Sequence, residues 1–242
     1  MPAKTRIDRL LVARGLFESR AKAQAALEAG LVIADGVQVR KASEEIATDA
    51  ELHAPAAYPY VSRGGVKLAA ALDHFGFEPK GRICLDVGAS TGGFTQVLLE
   101  RGAARVFAVD VGREQLHPSL CDNTKITSLE GNDIRTLSAA RLGAAPDLVT
   151  VDVSFISLRL VLPAALALAK EHAQLIALIK PQFEAGRAKL KKGIVRDRAV
   201  HASVCDEITA FVASLGLGIA GVIASPIVGG DGNAEFLLGA AR

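Results

Sequence analysis

Cysteine is scarce in this chain: Cys84, Cys121 and Cys205 are the three in 242 residues, with no C-x-x-C spacing. That argues against a disulfide framework or a zinc site and suits a reducing cytosol, with the three as buried thiols. A cytoplasmic location is therefore expected. Long apolar runs are also missing. The stretch LVLPAALALA at 160–169 falls short of the ~18 residues that suggest a membrane span. MPAKTRIDRL, at the start, has no apolar signal core, so no membrane partner is expected. Histidines 53, 74, 117, 172 and 201 lack metal-like spacing; no metal is expected, and they read as surface or helix-capping residues. No G-x-x-x-x-G-K-[ST] occurs, which argues against an ATPase.

Half of the residues are apolar, enough to bury a sizeable core, and the net charge of +2 conceals an asymmetry. Residues 1–41 carry Lys4, Arg6, Arg9, Arg14, Arg20, Lys22, Arg40 and Lys41 against Asp8, Glu18, Glu28 and Asp35, leaving the remainder slightly acidic. Such a segment suits a polyanion. Within it, RIDRLLVARGL has Ile7, Leu10, Leu11 and Arg14 at helical spacing and stops at Gly15. SRAKAQAALEAG offers Ser19 as N-cap, an Ala-rich helix and Gly30 as C-terminal stop. LVIADGVQVR then places two apolar runs about Asp35-Gly36, a type I′ hairpin signal. Arg6, Arg9, Arg20 and Lys22 can share the helix faces and, with Lys4, meet phosphates.

This order of helix, helix and hairpin resembles the S4 RNA-binding domain, on RIDRLLVARGLFESRAKAQAALEAGLVIADGVQV. The resemblance implies a small N-terminal α+β RNA-binding domain over 1–52. HAPAAYPY at 53–60 reads as a linker, and a second domain is expected over 61–242.

In the second domain apolar runs alternate with helical patterns. RICLDVGA, RVFAVDV, KITSLEGND, PDLVTVDVS and QLIALIKP read as parallel strands, with GFTQVLLERG and LRLVLPAALALAKEH among the crossover helices. A doubly wound α/β sheet is the expectation. Such sheets bind ligands outside the carboxyl ends of their strands, where these runs deliver Asp86, Asp110, Asp133, Asp152 and Lys180. The first turn reads G-x-x-x-G-G, at Gly88, Gly92 and Gly93, rather than the G-x-G-x-x-G of a dinucleotide site. Asp110 ends the next strand, where a carboxylate can accept both hydroxyls of a ribose, and Asn132 and Asp133 can read an adenine edge. Ribose and adenine without a pyrophosphate loop suggest S-adenosylmethionine. DVGASTGGFT and VFAVDVG are similar to the first two motifs of class I methyltransferases, which have a Rossmann-like fold. That resemblance implies cofactor contacts from Asp86, Gly88, Ala89, Ser90, Thr91, Gly92, Gly93, Phe94, Asp110, Val111, Asn132 and Asp133.

The acceptor chemistry must come from the other strand ends. No N/D-P-P-Y stretch for an exocyclic amine and no Pro-Cys setting for pyrimidine C5 are present. Lys67 in SRGGVKL, Asp152 in VDVSFIS, Lys180 in IKPQFE and Glu235 in GNAEFLL, a late strand, remain as candidates. Their K-D-K-E order resembles the tetrad of FtsJ-like RNA ribose 2′-O-methyltransferases. It implies that Lys180 acts at the attacking oxygen, that Asp152 holds its orientation, and that Lys67 and Glu235 position the ribose. Lys180 follows LIALI and precedes a proline, which fixes it at the mouth of a buried strand.

With the S4-like segment added, the chain resembles the TlyA (haemolysin A) family on VSRGGVKL, CLDVGASTGGFT, VDVSFISL, KPQFE and GNAEF. This implies ribosomal RNA, within ribosomal subunits, as partner and a cytidine 2′-hydroxyl as target. The chain stops at Arg242, seven residues beyond Glu235, whereas family members acting on both subunits tend to have longer termini; the expectation leans to the large subunit. RAKLKKGIVRDR at 187–198 reads as a basic RNA clamp, with Arg187, Lys189, Lys191 and Lys192 joining Arg63 as RNA contacts. Two other readings stay open: a cytolysin, for which no spanning or strongly amphipathic segment is evident, and an RNA-binding protein with a decayed site.

Overall fold

The structure is a computed structural model that describes residues 3–186, 190, 193–229 and 232–242. Arg187, Lys189, Lys191 and Lys192 of the expected clamp lie outside the described residues. The chain divides into two units, Met1–Pro59 and Tyr60–Arg242.

The first unit runs β1 (Lys4–Arg6), α1 (Ile7–Ala13), α2 (Arg20–Glu28), β2 (Val32–Ala34), β3 (Val37–Val39), β4 (Glu45–Ala47) and β5 (Leu52–His53). Ile7, Leu10 and Leu11 of α1 pack on Ala23, Ala26 and Leu27 of α2, forming one small core with Phe17, Val32 and Val39. Ser19 caps α2 by accepting from Lys22 N. Asp35 and Gly36 both take positive φ, 49° and 77°, and β2 pairs antiparallel with β3 across them, as a type I′ turn requires. β2 also pairs with β5, Ile33 opposite His53. His53 therefore belongs to this sheet and not to a linker. Arg6 ends β1 and precedes the helix on whose face it was expected.

The second unit holds α3 (Gly64–Phe75), β6 (Ile83–Val87), α4 (Gly93–Glu100), β7 (Arg105–Asp110), α5 (Pro118–Cys121), β8 (Ile126–Glu130), a 3₁₀ turn (Ile134–Thr136) and α6 (Ala139–Leu142). It continues through β9 (Leu148–Val151), α7 (Leu158–Ala167), β10 (Gln174–Ile179), α8 (Pro181–Glu184), α9 (Arg198–Ser214), β11 (Gly218–Ala224) and β12 (Phe236–Ala241). Among the described residues these strands form one sheet in the order β11-β12-β10-β9-β6-β7-β8. The five expected strands are parallel, whereas β12 runs antiparallel to both β10 and β11.

Both faces of the sheet are covered. Leu85, Val87, Val149, Val151, Leu175, Ala177 and Ile179 face α7 and α9. Cys84, Leu148, Ile176, Leu178 and Leu237 face α3 and α4. Because strand side chains alternate, Asp86, Asp152, Lys180 and Glu235 have the parity of the second set, the side that α3 and α4 cover. Two of the three cysteines differ from the expected buried thiols. Cys84 is buried, and burial, then the nearby Asp147 and Asp86 charges, push its thiol up to about 12. Cys205 is half-buried, and Cys121, in a short surface helix, is exposed. Among the described residues no helix is long and apolar enough to cross a membrane.

Candidate active site

The turn from β6 into α4 is built on the ends of its neighbours. Gly88 N and Ala89 N both donate to Val109 O of β7. Gly88 has φ +84°, and a Cβ there would lie 2.2 Å from the backbone oxygen of Asp152, so only glycine lets the first and fourth strand ends close up. Asp110 then fixes the turn from the side: its Oδ2 accepts from Ser90 N at 2.8 Å and its Oδ1 from Gly112 N at 2.7 Å. Each carboxylate oxygen keeps a further lone pair.

Beneath the turn lies Asp86, which has no solvent exposure. Thr95 Oγ1 donates to it at 2.6 Å and Thr150 Oγ1 at 3.1 Å. Burial pushes its carboxyl up to about 7, against the pull of the two threonines and with the Asp152 charge adding to the rise. Asp86 and Gly92 were expected to touch the cofactor, yet they line neither cavity described below. Asp86 is covered by the turn it supports. Gly92 stands against Leu116 and Leu120, where a Cβ would collide with both.

One cavity of ≈ 460 Å³ opens beyond the carboxyl ends of β6, β7, β8 and β9. Its polar edge is Asp110, Asn132 and Asp133; Val111, Ile134, Ile156 and Val161 give it apolar walls. The Asp133 carboxyl sits below its usual range because the Arg135 guanidinium grips it, with hydrogen bonds from 2.6 to 3.1 Å. Gln115 and Arg135, neither suggested by the sequence, complete the rim. The loop carrying Gln115 is held by Glu130, which accepts from the backbone N–H of Glu114, Gln115 and Leu116.

A second cavity of ≈ 280 Å³ adjoins it. Ala89, Thr91, Gly93 and Phe94 form one wall; Arg63, Lys67 and Lys180 face it from α3 and the end of β10. Gly88, Ser90, Asp152 and Ser154 line both cavities. Lys67 and Glu235, 8% and 5% exposed, form an ion pair at 2.5 Å. Glu235 lies one residue before β12 rather than within a strand. The backbone of Gly229 makes room for it, since a Cβ there would lie 2.0 Å from Glu235 Oε1. Lys180, 9% exposed, brings Nζ to 2.6 Å from Asp152 Oδ1 and donates to Ser154 Oγ at 2.9 Å. The structure thus brings Lys67, Asp152 and Lys180 around one cavity and sets Glu235 behind Lys67. Ser154 was missed, although Ala177 pairs with Val151 and counting three residues on along both chains sets Lys180 beside Ser154.

The bases expected to meet RNA are arranged unevenly. Arg6 and Arg20 converge on Asp8, at 3.1 and 2.6 Å, and Gln24 also donates to it. Burial alone would raise this carboxyl, but the three donors hold it well below the usual carboxylate range. Lys22 pairs with Glu18 at 2.6 Å. Lys4 and Arg9 are exposed.

Residues 60–242 match the FtsJ-like methyltransferase family. A Bacillus subtilis protein, YqxC, named as a candidate rRNA methyltransferase, is 45% identical over 97% of this chain and 85% of its own length. The 16S/23S rRNA (cytidine-2′-O)-methyltransferase TlyA of Mycobacterium tuberculosis is 41% identical over 98% of this chain and 90% of its own. A solved structure from Streptococcus thermophilus, described as a candidate hemolysin, superposes with a TM-score of 0.79 at 42% identity, covering 100% of this chain and 89% of its own.

Proposed function

The chain belongs to the FtsJ-like methyltransferase family, and we propose that it transfers a methyl group from S-adenosylmethionine to the 2′-hydroxyl of a cytidine ribose in ribosomal RNA. The observation that carries this reading is the sharing of Gly88, Ser90, Asp152 and Ser154 between the larger cavity and the one holding the two lysines. A donor bound in the first can present its reactive end in the second.

The residues of the larger cavity fit the adenosine part of that cofactor. Asp110 has lone pairs left for two ribose hydroxyls after holding Ser90 and Gly112. Val111 and Ile134 suit the faces of an adenine, with Asn132 and Asp133 at its edge. When bound, S-adenosylmethionine supplies an electrophilic methyl on a sulfonium sulfur. The chain's own part is positional and electrostatic. Lys180 meets the 2′-oxygen and offsets charge that develops there, which is where a preorganised group contributes most. Asp152 keeps that ammonium at the strand mouth. The Lys67–Glu235 pair orients the ribose from the α3 side, and in-line approach of the oxygen is the larger share of the task.

Residues 1–59 serve as an S4-like RNA grip, with Lys4 and Arg9 open to phosphates and Arg6 and Arg20 presented by Asp8. Arg63, at the rim of the second cavity, takes a phosphate near the target. The basic stretch containing Arg187, Lys189, Lys191 and Lys192 is the clamp. The substrate is met in the cytoplasm, within a ribosomal subunit. Labelled methyl transfer to separated small and large subunits, followed by nucleoside analysis, tests this reading. The expected product is 2′-O-methylcytidine; a methyl carried on a base refutes it.

A further inference from the structure

We propose that Ser154 is a positioning residue that aims Lys180 at the acceptor oxygen. The inference rests on the role given to Lys180 above and adds a group that the K-D-K-E pattern does not contain. Lys180 Nζ has two neighbours of different character. Asp152 Oδ1 lies close, at 2.6 Å, but off the direction a hydrogen bond needs. Ser154 Oγ, at 2.9 Å, accepts a hydrogen bond from Nζ. Coulomb attraction holds a charge near its partner with little preference for direction, whereas a hydrogen bond weakens steeply once bent below about 120°. Asp152 therefore keeps the ammonium in place, and Ser154 sets its rotation about the Cε–Nζ bond.

That rotation matters because Nζ has three positions besides its carbon. With one N–H fixed on Ser154, the remaining positions are set relative to the cavity that all three residues line. Ser154 itself makes and breaks no bond to the reacting atoms. Its place is set by the sheet, since Val151 is registered on Ala177 three residues before it.

Single-turnover transfer at saturating S-adenosylmethionine and ribosomal subunits tests the assignment with the full-length Ser154→Ala, Ser154→Thr, Lys180→Ala and Ser154→Ala/Lys180→Ala variants. Ser154→Ala is expected to slow transfer about 10- to 100-fold, the scale of a misaimed group, with cofactor and RNA affinities within about twofold. Ser154→Thr, which keeps the hydroxyl, restores most of the rate. The double variant is no slower than Lys180→Ala, because the serine acts only through the lysine. A wild-type rate for Ser154→Ala, losses that add in the double variant, or a folded Ser154→Thr as slow as Ser154→Ala overturns the assignment. If Lys180→Ala is inactive while Ser154→Ala is fully active, the serine's role alone falls. If Lys180→Ala transfers at the wild-type rate, the ribose reading falls with it.

Discussion

Replacing Asp110 by Asn changes one atom in a carboxylate that holds two backbone groups, Gly112 N at 2.7 Å and Ser90 N at 2.8 Å. The amide has one oxygen, so its NH₂ must face one of those N–H groups, and two donors then oppose each other. One contact to the turn is lost, together with one acceptor for a ribose hydroxyl. A hydrogen bond to a charged group contributes about 1.5–3 kcal/mol. Loss of the ribose contact alone should therefore weaken S-adenosylmethionine binding roughly 10- to 100-fold. The freed N–H, that of Ser90 or of Gly112, loosens the turn as well, lowering the stability of the ligand-free protein by about 1–2 kcal/mol. Titration calorimetry with S-adenosylmethionine and S-adenosylhomocysteine measures the first effect and urea denaturation the second. The exposed Asp122→Asn is the control and should bind within about twofold of wild type. Unchanged cofactor affinity in a folded Asp110→Asn would refute the assignment of the larger cavity to the cofactor.

Asp86, with a folded value of about 7 against about 3.9 for an unfolded aspartate, keeps a proton in the folded chain that the unfolded chain has released. Its contribution to stability therefore falls as pH rises from about 4 to 7, and Asp86→Asn should abolish that slope; parallel urea-midpoint profiles for the two proteins would contradict this. Asp8 has the opposite sign. Its depressed carboxyl stabilises the N-terminal unit above about pH 4, and the benefit is lost as pH falls through the folded value. Asp8→Asn should cost about 1–3 kcal/mol at pH 7, kept modest because both arginines are partly exposed, and much less near pH 2; an equal cost at both pH values would count against the ion-pair account. Lys4→Ala with Arg9→Ala should weaken RNA binding and lower the slope of log affinity against log salt by about 2, one for each phosphate contact; an unchanged slope argues against the RNA grip.

The parallel strands were legible because a sheet covered on both faces needs nearly continuous apolar runs, as in QLIALI and LVTV. The hairpin at Asp35-Gly36 was legible because its two positive φ values demand that pair. Asp86 was not: the chain shows an acid at a strand end, and only the neighbouring Thr95 and Thr150 reveal that it faces inward. The family pattern named Lys67 and Glu235 without pairing them, and since they are 168 residues apart no local spacing joins them. Arg6 and Arg20 looked like free bases because the carboxylate that gathers them is hidden beneath them. Ser154 needed the register between β9 and β10, a property of two strands together.

The reversed direction of β12 has a consequence for the order in which the chain can acquire its chemistry. Phe236 lies opposite Ile179, so the start of β12, not its end, reaches the mouth of β10 and delivers Glu235 there. A chain growing on the ribosome completes the glycine turn, Asp110, Asp152 and Lys180 long before residue 235 is added. In a chain halted short of that residue Lys67 lacks its counter-ion.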